Sequence, residues 1–138
     1  MRKTIALGLV VLHCFSHSVV RVAAGEKESS ATEKVIKVGN APPADAAVRE
    51  IEVSAKKYEY DPASIEVSVN TLVKIHLKAL DREHGFEIKS IKDSCVKFKP
   101  SESATLEFYA DKAGEFEFAC CKYCGLGHGK MKGKLIVK

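Results

Sequence analysis

Three thiols, one imidazole and one thioether fall within the twelve residues Cys120-Cys121-Lys122-Tyr123-Cys124-Gly125-Leu126-Gly127-His128-Gly129-Lys130-Met131. Thiolate and thioether are soft donors and imidazole is borderline, a set that suits copper or zinc far better than magnesium or calcium. The candidate donors are spaced Cys-x3-Cys-x3-His-x2-Met, so one face of a regular strand cannot carry them all. A loop has to wrap them around a common point, and glycine at every second position from Gly125 to Gly129 gives the backbone that freedom. Whatever fold this chain adopts must present a metal loop near its C-terminus and bring a further donor to it.

The sequence before the loop alternates with period two, the mark of half-buried strands. Ile51 and Val53 alternate with Glu52 and Ser54; Ile65, Val67 and Val69 with Glu66 and Ser68; Val73, Ile75 and Leu77 with Lys74, His76 and Lys78. Tyr60-Asp61-Pro62-Ala63 reads as a turn. His84 to Ile88 follows the polar Asp81-Arg82-Glu83, then a loop runs to Lys99-Pro100. Thr105–Phe108 and Phe116–Phe118 are further strands, the second leading straight into the loop, and Gly133 to Val137 closes the domain. About seven short strands without a convincing helix predict an all-β antiparallel sandwich.

The N-terminus reads as an export signal over residues 1–24. Arg2 and Lys3 precede an apolar run from Ile5 to Leu12, and Val22-Ala23-Ala24 is a small-residue cleavage site. His13, Ser16, His17, Ser18 and Arg21 interrupt the apolar stretch well short of a membrane span. Lipid attachment at Cys14 is the weaker alternative, because His13 is a poor residue in front of it. Residues 25–47 read as a flexible lead-in, within which Val35-Ile36-Lys37-Val38 could form a short edge strand. The domain proper is then 48–138. Of the formal charge of +4, Arg2, Lys3 and Arg21 lie in the signal, leaving 19 basic against 18 acidic residues. That balance offers no handle for nucleic acid or an anionic membrane, and the mature form is expected to be soluble and periplasmic or secreted.

His84-Gly85-Phe86, followed well downstream by a Cys/His/Met loop, resembles the cupredoxin pattern, and Tyr60-Asp61-Pro62 with Ile65-Glu66-Val67 resembles that family's early strands. Two loop cysteines rather than one make Cys120-x3-Cys124-x3-His128-x2-Met131 similar to the dinuclear CuA loop of cytochrome c oxidase subunit II and nitrous oxide reductase. The resemblance covers residues 48–138. It implies a cupredoxin-like Greek-key sandwich in which Cys120 and Cys124 bridge two copper ions, with His84 and His128 each capping one. Met131 and the backbone carbonyl of Lys122 would be weak ligands. The implied activity is one-electron transfer, without catalysis by the chain itself, to or from a partner such as a c-type cytochrome or a terminal reductase. Lys122 stands where oxidase subunit II has an acid, and the chain has no Trp. With no pair of transmembrane helices either, the resemblance implies a free-standing relative rather than an oxidase subunit.

Other readings use the same residues. Two Cys and two His also make a structural zinc set, though Met131 is then unexplained. Export allows a Cys120–Cys124 disulfide. A copper storage or delivery protein, or thiol–disulfide exchange through Cys120, Cys121 and Cys124, needs the same thiols. Cys95 and Cys121 are most simply buried free thiols, with a Cys95–Cys121 disulfide as the sharper alternative. His76 reads as a solvated residue, and Tyr123 as either a partner contact or a packed ring. Lys122, Lys130, Lys132 and Lys134 read as a solvated face or as a docking patch for an acidic cytochrome.

Overall fold

A computed structural model describes residues 33–138. Residues 1–32, with the candidate signal and Cys14, lie outside the described residues. Ten strands follow in order: β1 (Glu33–Val38), β2 (Ala47–Lys56), β3 (Glu59–Asp61), β4 (Ser64–Val67), β5 (Thr71–Ala79), β6 (His84–Ile88), β7 (Val96–Phe98), β8 (Ser103–Ala110), β9 (Gly114–Ala119) and β10 (Lys132–Val137). The one helical element described is a single 3-10 turn, His128–Lys130, inside the metal loop. One sheet runs β1-β8-β5-β2-β3 and the other β4-β10-β9-β6-β7, the all-β sandwich the alternation predicts, but mixed rather than antiparallel, since β1–β8, β2–β5 and β4–β10 pair in parallel.

The period-two pattern decides which side chains are shared between the sheets. On β5, Val73, Ile75 and Leu77 point inward, and on β8 Ala104, Leu106 and Phe108 do so opposite them. Phe86, Phe98 and Phe118 fill the layer on the other sheet. Phe86 and Phe118 stack at 4.9 Å, and Tyr60 meets both edge-on at 5.4 Å. These edge-to-face and stacked pairs are the arrangements that the ring quadrupoles favour. The Tyr60 hydroxyl donates to the Gly85 carbonyl at 2.5 Å, so the phenol is both a core residue and a strut under β6. Tyr60→Phe keeps the ring but leaves that buried acceptor short of a donor. The expected loss is about 1 kcal/mol of stability, read as a lower denaturation midpoint at unchanged slope.

Three strands go beyond the seven expected. β3 lies where the sequence reads as a turn, and β7 lies within the supposed loop before Lys99, with Val96 and Phe98 buried. β1 falls inside the stretch that reads as a flexible lead-in. It pairs in parallel with β8, Val35 opposite Thr105 and Val38 opposite Phe108, so the edge-strand alternative for Val35–Val38 is what the fold adopts. His76 is not simply solvated. Its Nδ1 lies 2.9 Å from the Thr105 hydroxyl, which donates to Glu33 on β1, and its Nε2 is 3.8 Å from Glu50.

Strand directions place the chemistry at one end. β5 ends at Ala79 and β6 begins at His84; β9 ends at Ala119 and β10 begins at Lys132. The 80–83 turn, the 120–131 loop and the turn between β2 and β3 therefore share one pole of the sandwich.

Candidate metal centre

His84 is the first residue of β6 and is fully buried. Its Nε2 hydrogen-bonds Asp81 Oδ1 at 2.7 Å, an arrangement that puts the proton on Nε2 and leaves the Nδ1 lone pair free. Asp81 is itself held by the backbone N–H groups of Lys57 and Arg82. Burial pulls its carboxyl upward, but the bond to His84 and those backbone donors outweigh this and keep it below the usual carboxylate range.

Of the loop donors, Cys120 and Cys124 meet His84, whereas His128 and Met131 lie beside Cys124 and His128 stands outside that three-way cluster. Cys120 and Cys124 are each 5% exposed and Met131 only 1%. The two sulfurs lie 3.8 Å apart, Cys124 Sγ is 3.9 Å from His128 Nδ1, and it is 3.8 Å from Met131 Sδ. Cys120 Sγ sits 2.9 Å from the Lys122 carbonyl oxygen. One donor atom each from His84, Cys120 and Cys124 all fall within 4.8 Å of one another. Burial, and after it the neighbouring Cys120, pushes the Cys124 thiol up to about 11. Metal uptake by such a site therefore releases protons.

The sequence marks the donors but not what holds them. The Cys120 N–H donates to the Met131 carbonyl at 3.1 Å and closes the base of the loop. Arg82 Nη1 donates to the Cys124 carbonyl at 3.1 Å, and the Gly85 N–H points at Cys120 Sγ at 3.4 Å. Tyr58, at φ 134 in the tight turn between β2 and β3, lays its ring against Gly125 and Gly127 of the loop. A Cβ on Gly127 would meet that ring at 2.2 Å, which is why the loop carries glycine there. Asp81, three residues before His84, is the one sequence signal for this support. Asp81→Ala is expected to weaken metal affinity roughly 10- to 100-fold by freeing the imidazole to rotate, measured by competition with a metal chelator.

Readings left open by the sequence are narrowed in the folded chain. Cys95 and Cys121 are not free thiols but a disulfide, with Cα atoms 5.9 Å apart. The basic run is largely engaged: Lys122 pairs with Glu83, Lys132 with Glu117 and Lys134 with Glu115, at 3.3 to 3.7 Å. β10 and β9 pair antiparallel with Lys132 opposite Ala119, a register that sets each lysine beside an acid. Tyr123 is 67% exposed, so it is not the packed ring of the two readings.

A group fits here on the structure's own terms. His84 Nδ1 is buried and is the described side-chain polar atom left without a hydrogen-bond partner. A buried acceptor with no donor is costly unless something else binds its lone pair. Two buried thiols and a buried thioether around it select a soft or borderline metal. The cluster is compatible with a CuA-type site.

The profile of the cupredoxin-like domain matches residues 18–137. This chain belongs to the cupredoxin-like family. The cupredoxin is also homologous to a cytochrome c oxidase subunit 2 of Thermus thermophilus, being 29% identical over 139 aligned positions that cover 96% of this chain and 82% of that one. Among solved structures, a heme-copper terminal oxidase dimer matches with a TM-score of 0.62 and 26% identity. There the cupredoxin contributes 68% of its own length and spans 66% of the oxidase chain. The periplasmic domain of subunit II of cytochrome oxidase (CoxB) of Bradyrhizobium japonicum shares the fold at a TM-score of 0.57, with 21% identity over 70% of this chain and 86% of that one. Cupredoxin relatives and oxidase subunits together imply copper-based electron transfer.

Proposed function

We propose that this cupredoxin is an exported one-electron carrier with a dinuclear copper centre of the CuA type. Cys120 and Cys124 supply the thiolates, His84 and His128 the imidazoles, and Met131 with the Lys122 carbonyl the weak outer ligands. The observation that carries the reading is the orphaned, buried Nδ1 of His84 beside two buried thiols. A copper pair there supplies a one-electron couple whose charge change is spread over two metals and two sulfurs. The chain's part is to keep its donors still and dry. Asp81 fixes the His84 tautomer, Gly85 hydrogen-bonds the Cys120 sulfur, Arg82 holds the loop at the Cys124 carbonyl and Tyr58 packs against Gly125 and Gly127.

Export through the 1–24 signal puts the protein in the periplasm or outside the cell, with a c-type cytochrome or a terminal reductase as redox partner. Among the described residues no helix is long and apolar enough to cross a membrane. The alternative, copper storage or delivery to an oxidase or reductase, asks for ligands that a thiol acceptor can reach. Burial of Cys120, Cys124 and Met131 favours the carrier. Metal analysis of protein from its native compartment tests the proposal. Two copper ions per chain, retained through cycles of oxidation and reduction with a delocalised mixed-valence spin spectrum, support it. One zinc per chain, or copper that leaves to a thiol competitor at each reduction, overturns it.

A further inference from the structure

We propose that the Cys95–Cys121 disulfide is the positioning element that holds the metal loop against His84, so that metal retention depends on the oxidation state of this crosslink. Cys121 is the immediate neighbour of Cys120, and Cys95 directly precedes β7. β7 pairs with β6 so that Phe98 faces His84 and Lys97 faces Gly85. The bond therefore ties the first turn of the loop, across β6, to the outer strand of the sheet.

Where the crosslink rests is what gives it leverage. A Cβ on Gly85 would fall 2.7 Å from Cys121 Sγ and 2.7 Å from the Lys122 backbone nitrogen, so the loop lies directly on the Gly85 backbone. Gly85 follows His84 in the chain, and its N–H reaches Cys120 Sγ. Its carbonyl is pinned from below by Tyr60. The crosslink thus fixes the loop at the residue joining both halves of the donor set. Among the described residues, the other polar ties from the loop to this segment are the Gly85 and Arg82 hydrogen bonds and the surface pair of Lys122 with Glu83. A surface pair holds little.

Residue burial separates the two pairs of cysteines. Cys120 and Cys124 are buried, whereas Cys95 and Cys121 are half-buried. A dithiol reductant meets the crosslink first. One of its thiolates attacks a crosslink sulfur, and the resulting mixed disulfide is resolved by its second thiol. Two electrons and two protons pass to Cys95 and Cys121, and the reductant leaves as a disulfide. With Cys121 released, residues 120–122 can lift from Gly85 and carry the Cys120 sulfur away from His84.

The retention half of this proposal rests on the copper reading; the positioning half does not. In metal-free protein, iodoacetamide labelling of Cys120 and Cys124, mapped by peptide mass, is expected to accelerate about tenfold in the Cys95→Ala/Cys121→Ala variant, because the buried thiols then open locally. If that variant does not fold, wild type reduced with a phosphine gives the same comparison, with circular dichroism reporting that the sheets persist. In copper-loaded protein, release to a Cu(I) chelator is expected to quicken by a similar factor of about ten and to slow again once the reduced wild type is reoxidised. Amide exchange distinguishes positioning from general stabilisation: it should rise in residues 120–131 and not in β5 or β8. Unchanged labelling, or exchange that rises equally in β5 and β8, overturns the proposal. A wild type that binds no copper sinks the function proposed above, and labelling and exchange still decide this one.

Discussion

Cys124→Ser is expected to leave a folded sandwich with no copper pair, and Cys120→Ser to do the same. Each sulfur has its own neighbours: Cys120 faces the Gly85 N–H and the Lys122 carbonyl, Cys124 faces His128 and Met131. Neither can cover for the other. A hydroxyl is a hard, weakly acidic donor and would not replace a thiolate of the proposed copper pair. Copper per chain should fall from two to one or none, with the delocalised spin spectrum lost. Met131→Leu is the matched contrast. It keeps two thiolates and two imidazoles and nearly the same volume, so two coppers should stay while the potential moves. An empty site in Met131→Leu would mean that the thioether is a principal ligand rather than a weak one.

Gly85→Ala is expected to have the second largest effect, from one methyl group. The new carbon would collide with the Cys121 sulfur and the Lys122 nitrogen, and neither is the free end of a flexible chain. One belongs to a crosslink and the other to the backbone, so the loop itself must move outward. Overpacking of this kind costs about 1–3 kcal/mol. The functional loss should be larger, because the displaced residues flank Cys120. Chemical denaturation and copper stoichiometry on the same sample read both, and wild-type values for each would refute the close packing described at this glycine.

The strands that the sequence makes visible are those with one covered and one open face. β5 alternates cleanly because Val73, Ile75 and Leu77 all face the opposite sheet. β1 is an edge strand paired only with β8: Ile36 and Val38 pack on the core, but Val35 on its open face is also apolar and 44% exposed, which hides the alternation. β7 is too short for any period to appear, although Val96 and Phe98 are completely buried. At the metal end the donors stand out because their spacing is local, whereas their support is tertiary. Tyr58 and Gly85 become meaningful only when β2 and β6 are brought beside the loop. The lysines of β10 look like a free basic patch in sequence because their partners, Glu115 and Glu117, become neighbours only in the antiparallel register with β9.

The course of β10 has a practical side. It leaves the metal pole at Lys132 and finishes beside β4, where Lys138 and Val67 bond backbone to backbone. Cargo joined at Lys138, whether an affinity handle, a fluorophore or a linker to an electrode, therefore lands on the pole remote from the sulfurs. Such an attachment turns the copper-side face outward, toward whatever it is meant to meet.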